Sequence, residues 1–154
     1  PYHAAVARNS LGIVRRLQGQ LAEAIALFVQ AEESFHTTQS PEWLARIHNN
    51  LGLTYLDAGR PAEAEKSFRA GVTLYEQLGN DAARLNTQHG VVLALLAQEH
   101  HTEAAALCRR GLAELDVLQD VPAEHREKAG WYRASLAKAE AGMKDETGNV
   151  KRET

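Results

Sequence analysis

The chain has 154 residues and a mass of 16.9 kDa, the size of one ordinary domain or a short repeat array. A net charge of −3 and a sequence pI near 6.2 argue against a nucleic-acid module, which carries a basic excess. A single cysteine, Cys108, excludes an internal disulfide framework and a cysteine-rich zinc site, and no apolar run approaches the roughly 20 residues that cross a bilayer.

Pro1-Tyr2-His3 does not open a signal peptide, and the missing initiator Met is what a processed chain or a piece of a longer one would show. Alanine occurs 26 times against 9 aromatic residues. Alanine is the best helix former and lets helices approach closely. The composition is therefore all-helical, and seven helices are expected, at about 4–17, 21–37, 41–58, 61–78, 81–98, 102–118 and 122–141. The prolines at 1, 41, 61 and 122 fall outside helix interiors.

In chain order, the first predicted helix carries Leu11-Gly12 and stops before Gly19, a C-cap position. The second shows Ala24, Phe28 and Ala31, small, large and small at helical spacing. The third opens after Ser40 with Pro41-Glu42, carries Leu51-Gly52 with Tyr55, and stops before Gly59. The fourth opens with Pro61 and repeats the stripe as Ala64, Phe68 and Gly71. Asn80-Asp81 opens the fifth, and Thr102-Glu103 opens the sixth. The seventh carries Arg126, Lys128, Arg133, Lys138 and Glu140, so one face is polar, as the end of a solenoid needs. Residues 142–154 read as a flexible polar tail.

The elements repeat. Residues 11–28 laid over 51–68 match at 7 of 18 positions without a gap, including both Leu-Gly pairs, Gly19/Gly59 and Phe28/Phe68. The step of 40 continues weakly into 91–118, where Val91-Val92 replaces Leu-Gly, Glu99 replaces the turn glycine and Cys108 replaces the phenylalanine. Each unit reads as two antiparallel helices, A and B, with the glycine of helix A admitting helix B.

These residues resemble the tetratricopeptide repeat family, in the 40-residue variety typical of bacteria, over roughly residues 4–141. The resemblance implies a right-handed α-solenoid of antiparallel helix pairs. Three units, at about 4–38, 44–78 and 84–118, are followed by a capping helix at about 122–141. It also implies a concave groove lined by the A helices, which binds an extended peptide or a partner helix. By position, the groove residues are Asn9, Ile13 and Arg16 in the first unit and Arg46, Asn49, Asn50, Leu53 and Asp57 in the second. Asn86, His89 and Leu93 follow in the third, and Arg126 and Arg133 in the last helix. The asparagines and His89 form a row of groups that can pair with the backbone of an extended chain. A clamp for a terminal carboxylate, found in chaperone-binding members, is not expected, since only Asn50 fits its pattern.

The expected function is a protein- or peptide-binding scaffold, and by analogy the interaction part of a larger bacterial regulator in the cytoplasm. The alternative is a self-associating scaffold, with Tyr2, Val6, Ile13 and Leu17 of the first helix packing on a second copy. No cofactor, metal, nucleic acid or membrane is expected as a ligand. An enzyme is disfavoured. His100 and His101 point about 100° apart with no ligand cluster nearby, and Cys108 sits at a core position. Trp43 and Trp131 read as packing residues. Glu23, Glu63 and Glu103 suit the positive ends of the B helices.

Overall fold

The computed structural model describes residues 2–117 and 123–150. The helices are α1 (Tyr2–Leu17), α2 (Leu21–Thr37), α3 (Pro41–Asp57), α4 (Pro61–Gln77), α5 (Asp81–Ala97), α6 (His101–Val117) and α7 (Ala123–Val150). From α2 to α6 each helix has 17 residues, and three residues separate each from the helix before it. The expected ends at 58, 78 and 98 are each one residue long, and α6 begins at His101 rather than Thr102. The expected end at 118 and start at 122 lie outside the described residues.

One backbone device sets this metre. A residue with positive φ stands in each of the five three-residue turns from α1 to α6, at Gly19 (75°), Gln39 (50°), Gly59 (68°), Gly79 (65°) and Glu99 (61°). After α3 the Gly59 N–H donates to the Leu56 carbonyl at 3.0 Å, and the Arg60 N–H donates to the Tyr55 carbonyl at 2.8 Å. That pair of bonds ties off carbonyls the helix leaves unpaired, and it requires a left-handed residue between them. Glycine supplies the conformation without strain, whereas Gln39 and Glu99 adopt it against their Cβ atoms. Glu99→Gly is therefore expected to raise stability by about 1 kcal/mol, and Gly59→Ala, which meets no neighbour within 4 Å, to lower it by a similar amount. Thermal melts of the two variants check the signs.

Helix starts are less uniform. Asn80 caps α5, its Oδ1 accepting from the Ala83 N–H at 3.0 Å. Ser40 makes no such bond to α3. Its hydroxyl pairs with Thr38 instead, 3.0 Å away, and Pro41 provides the start.

The chain divides into two compact units, Pro1–Gly90 and Val91–Thr154. In the first, Phe28 and Phe35 of α2 pack with Leu44, Ile47 and Leu51 of α3 and with Ala5 of α1. The glycines of the A helices make this packing possible. A Cβ on Gly12 would stand 2.7 Å from the Phe28 ring. Phe68 is enclosed on two sides, since a Cβ on either Gly52 or Gly90 would stand 2.6 Å from its ring. Leu11 departs from the repeat. It is 43% exposed, whereas Leu51, 40 residues on, is 4% exposed. The reason is that α2 covers α3, and no helix of this unit covers that side of α1.

In the second unit, Cys108 is fully buried at the phenylalanine position, and burial pushes its thiol pKa up to about 11. The thiolate needed for nucleophilic attack is therefore suppressed. Tyr132 of α7 is fully buried and lies over Gly111 of α6, where a Cβ would come within 2.6 Å of its ring. Arg126, Arg133 and Lys138 face solvent as expected, but Lys128 is buried, because it precedes Tyr132 by four residues and shares its helical face. The helix also runs past the expected end at 141 to Val150. Tertiary contact sustains it. The His101 ring of α6 occupies the space beside Gly142, and its Nε2 lies 3.8 Å from a Glu146 carboxylate oxygen. Of the expected polar tail, residues 151–154 lie outside the described residues.

Candidate functional site

Consecutive A helices of the first unit are joined by a ladder of polar bonds. Tyr2 and Trp43, Asn9 and Asn50, and Arg16 and Asp57 are each 41 residues apart, and successive rungs are seven residues, two helical turns, apart. Trp43 Nε1 donates to the Tyr2 hydroxyl at 2.7 Å. Asn50 Nδ2 donates to Asn9 Oδ1 at 2.9 Å, with Asn9 only 7% exposed. Arg16 pairs with Asp57 at 2.8 Å. Asn49 Oδ1 accepts from the Thr87 hydroxyl at 3.3 Å, linking α3 to α5. Much of the amide row thus braces helix against helix.

What remains of the row lines a cavity of about 490 Å³. It gathers Asn9 and Ile13 from α1 and Arg46, Asn49 and Asn50 from α3, all expected from the sequence. Each amide keeps part of its capacity: Asn49 Nδ2, Asn9 Nδ2 and Asn50 Oδ1 make none of the bonds above. Arg46 is exposed, with its guanidinium carbon 5.3 Å from the centre of the Trp43 ring. The other face of this aromatic group is built inward: Trp43 stacks on Phe35 with centroids 5.1 Å apart and planes 8° from parallel.

Five lining residues had no signal in the sequence as groove residues: Glu42, Tyr75, Leu78, Asn80 and Ala83. Tyr75 and Leu78, from α4 and the turn after it, belong to the B-helix side that the repeat pattern assigns to the core, and Glu42 sits in the first turn of α3. Burial raises the Tyr75 pKa, with Arg46 pulling it down and Glu42 pushing it up. The phenol therefore stays protonated and can donate. Glu42 and Leu78 also line a second cavity of about 340 Å³ with Tyr2, Ser40, Pro41 and Trp43.

Other expected residues stand elsewhere. Arg16 is committed to Asp57, Leu53 is half-buried, Asn86 is exposed and His89 is half-buried, and none of the four lines either cavity. In the second unit Leu93 is half-buried, and Arg126 and Arg133 are exposed. The exposed apolar residues of α1 also differ from expectation. Val6 and Ile13 pack against the core, while Tyr2, Leu11, Val14 and Leu17 are exposed. Among the described residues, no three His, Cys, Asp or Glu side chains are placed to hold a metal ion.

Helix pairs on a 40-residue step, with a glycine of one helix seated on a phenylalanine of the next, agree with a direct sequence match. Residues 43–113 match the tetratricopeptide repeat family. Over that span the chain carries tetratricopeptide repeats. Such repeats form a scaffold family that is not usually enzymatic and that supports protein interaction in general. The chain is similar in structure to a variant of the nearly identical TPR-like repeats of a Podosopora anserina protein assigned as a kinesin light chain. The TM-score is 0.75 at 21% identity, covering 97% of this chain and 70% of that one. This shows the TPR-like solenoid fold. A second structure of the Podosopora anserina repeats matches at a TM-score of 0.43 and 16% identity, over 94% of this chain and 89% of that one. Among curated proteins, none matches. No helix among the described residues is long and apolar enough to cross a membrane.

Proposed function

We propose that the cavity between α1, α3 and α4 binds an extended segment of a protein partner, and that the chain works as a recognition scaffold. One observation carries this reading. Arg46 and the Tyr75 hydroxyl border the cavity beside Asn49, whose Nδ2 is uncommitted, while the bracing bonds use Asn9 and Asn50. Arg46 makes no ion pair among the described residues. Donors held in place by a rigid ladder suit a peptide backbone and side chains, since little ordering is left to be done on binding. Arg46 and Glu42 offer opposite charges to an incoming segment. On this reading the same surface of the first unit extends to Asn86 and His89 of α5. Service as the interaction part of a larger regulator remains an extension of the resemblance to 40-residue arrays.

The test is a comparative capture from the lysate of the source organism, read by mass spectrometry. The wild-type chain is compared with an Arg46→Glu, Asn49→Ala variant, which spares the Asn9–Asn50 rung. The variant is expected to melt within about 3 °C of wild type, because it removes exposed or half-buried groups. A partner held by wild type and lost by the variant, then bound at least tenfold more weakly by it in purified form, supports the reading. Partners held equally by both refute it.

A further inference from the structure

Glu42 and Arg46 stand one turn apart on α3, the acid four residues before the base, which is the order that favours an ion pair within a helix. In α4 the same order closes: Arg69 Nε lies 2.8 Å from a Glu65 carboxylate oxygen. In α3 it stays open. The Arg46 guanidinium carbon lies 5.3 Å from the centre of the Trp43 ring, and neither Glu42 nor Arg46 makes an ion pair among the described residues. Both side chains are exposed, and both line the larger cavity. Glu42 also lines the smaller one, which Arg46 does not reach.

Resting on the segment binding proposed above, we propose that the bound segment carries one basic and one acidic residue two positions apart. The basic side chain enters the smaller cavity beside Glu42, and the acidic one meets Arg46. Spacing carries the pattern. Residues four apart on a helix have Cβ atoms about 6 Å apart. Alternate residues of an extended chain share one face and lie about 6.7 Å apart. The two spacings match, so an extended chain lying along α3 offers such a pair to Glu42 and Arg46 together, while the residue between them points away. The surroundings select the charges. Pro41, Trp43 and Leu78 flank Glu42 in the smaller cavity and give apolar cover to a lysine or arginine stem, whose charged end then meets the carboxylate. An acidic side chain there would face Glu42 at like charge. At Arg46, Asn49 and Tyr75 border the same cavity and add donors, which suit a carboxylate. A segment with two basic or two acidic residues satisfies one position and is repelled at the other.

The test measures retention of four pools of capped heptapeptides on the immobilised full chain. The pools are random except at two fixed positions, which read Lys-x-Glu, Glu-x-Lys, Lys-x-Lys or Glu-x-Glu. Wild type is expected to retain at least one of the first two pools about fivefold or more above the last two. Glu42→Lys is expected to move the preference to Glu-x-Glu, and Arg46→Glu to move it to Lys-x-Lys. The double variant Glu42→Lys, Arg46→Glu should return it to the pools of opposite charge, a reversal that damage to the fold does not produce. All three variants should melt within about 3 °C of wild type, since both side chains are exposed. Equal retention of the four pools by wild type overturns the charge pattern and leaves segment binding standing. Retention of none overturns both. A wild-type preference that survives Glu42→Lys overturns the assignment of the basic side chain to the smaller cavity.

Discussion

Phe68→Ala is expected to lower the thermal midpoint by about 10 °C or more, the largest effect of any single truncation in the first unit. The side chain is fully buried. Deleting a buried phenylalanine ring costs about 3–5 kcal/mol, against a typical total of about 5–15 kcal/mol. The upper end applies here for a structural reason. The cost depends on how far the surroundings collapse into the hole, and two walls of this hole are Gly52 and Gly90. Glycines have no side chains to swing inward, and the helices that carry them are tied by Asn49–Thr87 and Asn9–Asn50. Asn49→Ala, by contrast, removes one 3.3 Å hydrogen bond from a half-buried site and should cost only about 1 kcal/mol. Calorimetric melts of both variants decide the matter. If Phe68→Ala melts with wild type, the 40-residue register is wrong.

Gly52→Ala should reverse the usual sign of a glycine-to-alanine change. In an exposed helix interior that change stabilises by roughly 0.5–1 kcal/mol. At Gly52 the new Cβ would lie 2.6 Å from three atoms of the Phe68 ring, or nearly so, and real Cβ contacts do not come that close. The ring cannot retreat, because Gly90 holds its other side at the same distance. Overpacking of this kind costs about 1–3 kcal/mol, so the net change is expected to be a loss of about 2 kcal/mol. Gly130→Ala is the control. It lies mid-helix in α7 with nothing within 4 Å, and should gain about 0.5–1 kcal/mol. Denaturant titrations of the two variants should move in opposite directions. A rise in both would mean that Gly52 does not touch Phe68. A loss in Gly52→Ala that Phe68→Leu partly restores would locate the clash in that ring.

The candidate site shows where sequence reasoning stops. Asn9, Arg46, Asn49 and Asn50 were legible as one surface, because a step of 40 and a period of 3.6 place them on the same side of two A helices. Their division of labour was not. Periodicity says which way a side chain points and nothing about which neighbour it bonds. Whether Asn50 turns to Asn9 or to a ligand depends on how close α1 and α3 lie, and the 41-residue rungs set that closeness. Tyr75 was hidden for a related reason. It follows the core stripe of α4, and only the packing of α4 behind α3 brings its hydroxyl to the cavity beside Arg46.

Sequence alone determined the helical class, the repeat step and, to within one residue, the helix boundaries from the end of α1 to the start of α6. Those features depend on contacts within a few residues: alanine content, Pro41 and Pro61 at helix starts, and Gly19, Gly59 and Gly79 at positive φ. The left-handed turns at Gln39 and Glu99 came from tertiary structure, since neither residue favours that conformation and the flanking helices impose it. Tertiary structure also decided that Leu11 is exposed while Leu51 is buried, that Lys128 turns inward beside Tyr132, and that α7 continues past 141 along His101. In each case identical or similar local sequence meets a different neighbour. Burial is a property of the pair in contact, and the chain near each residue does not name the other member.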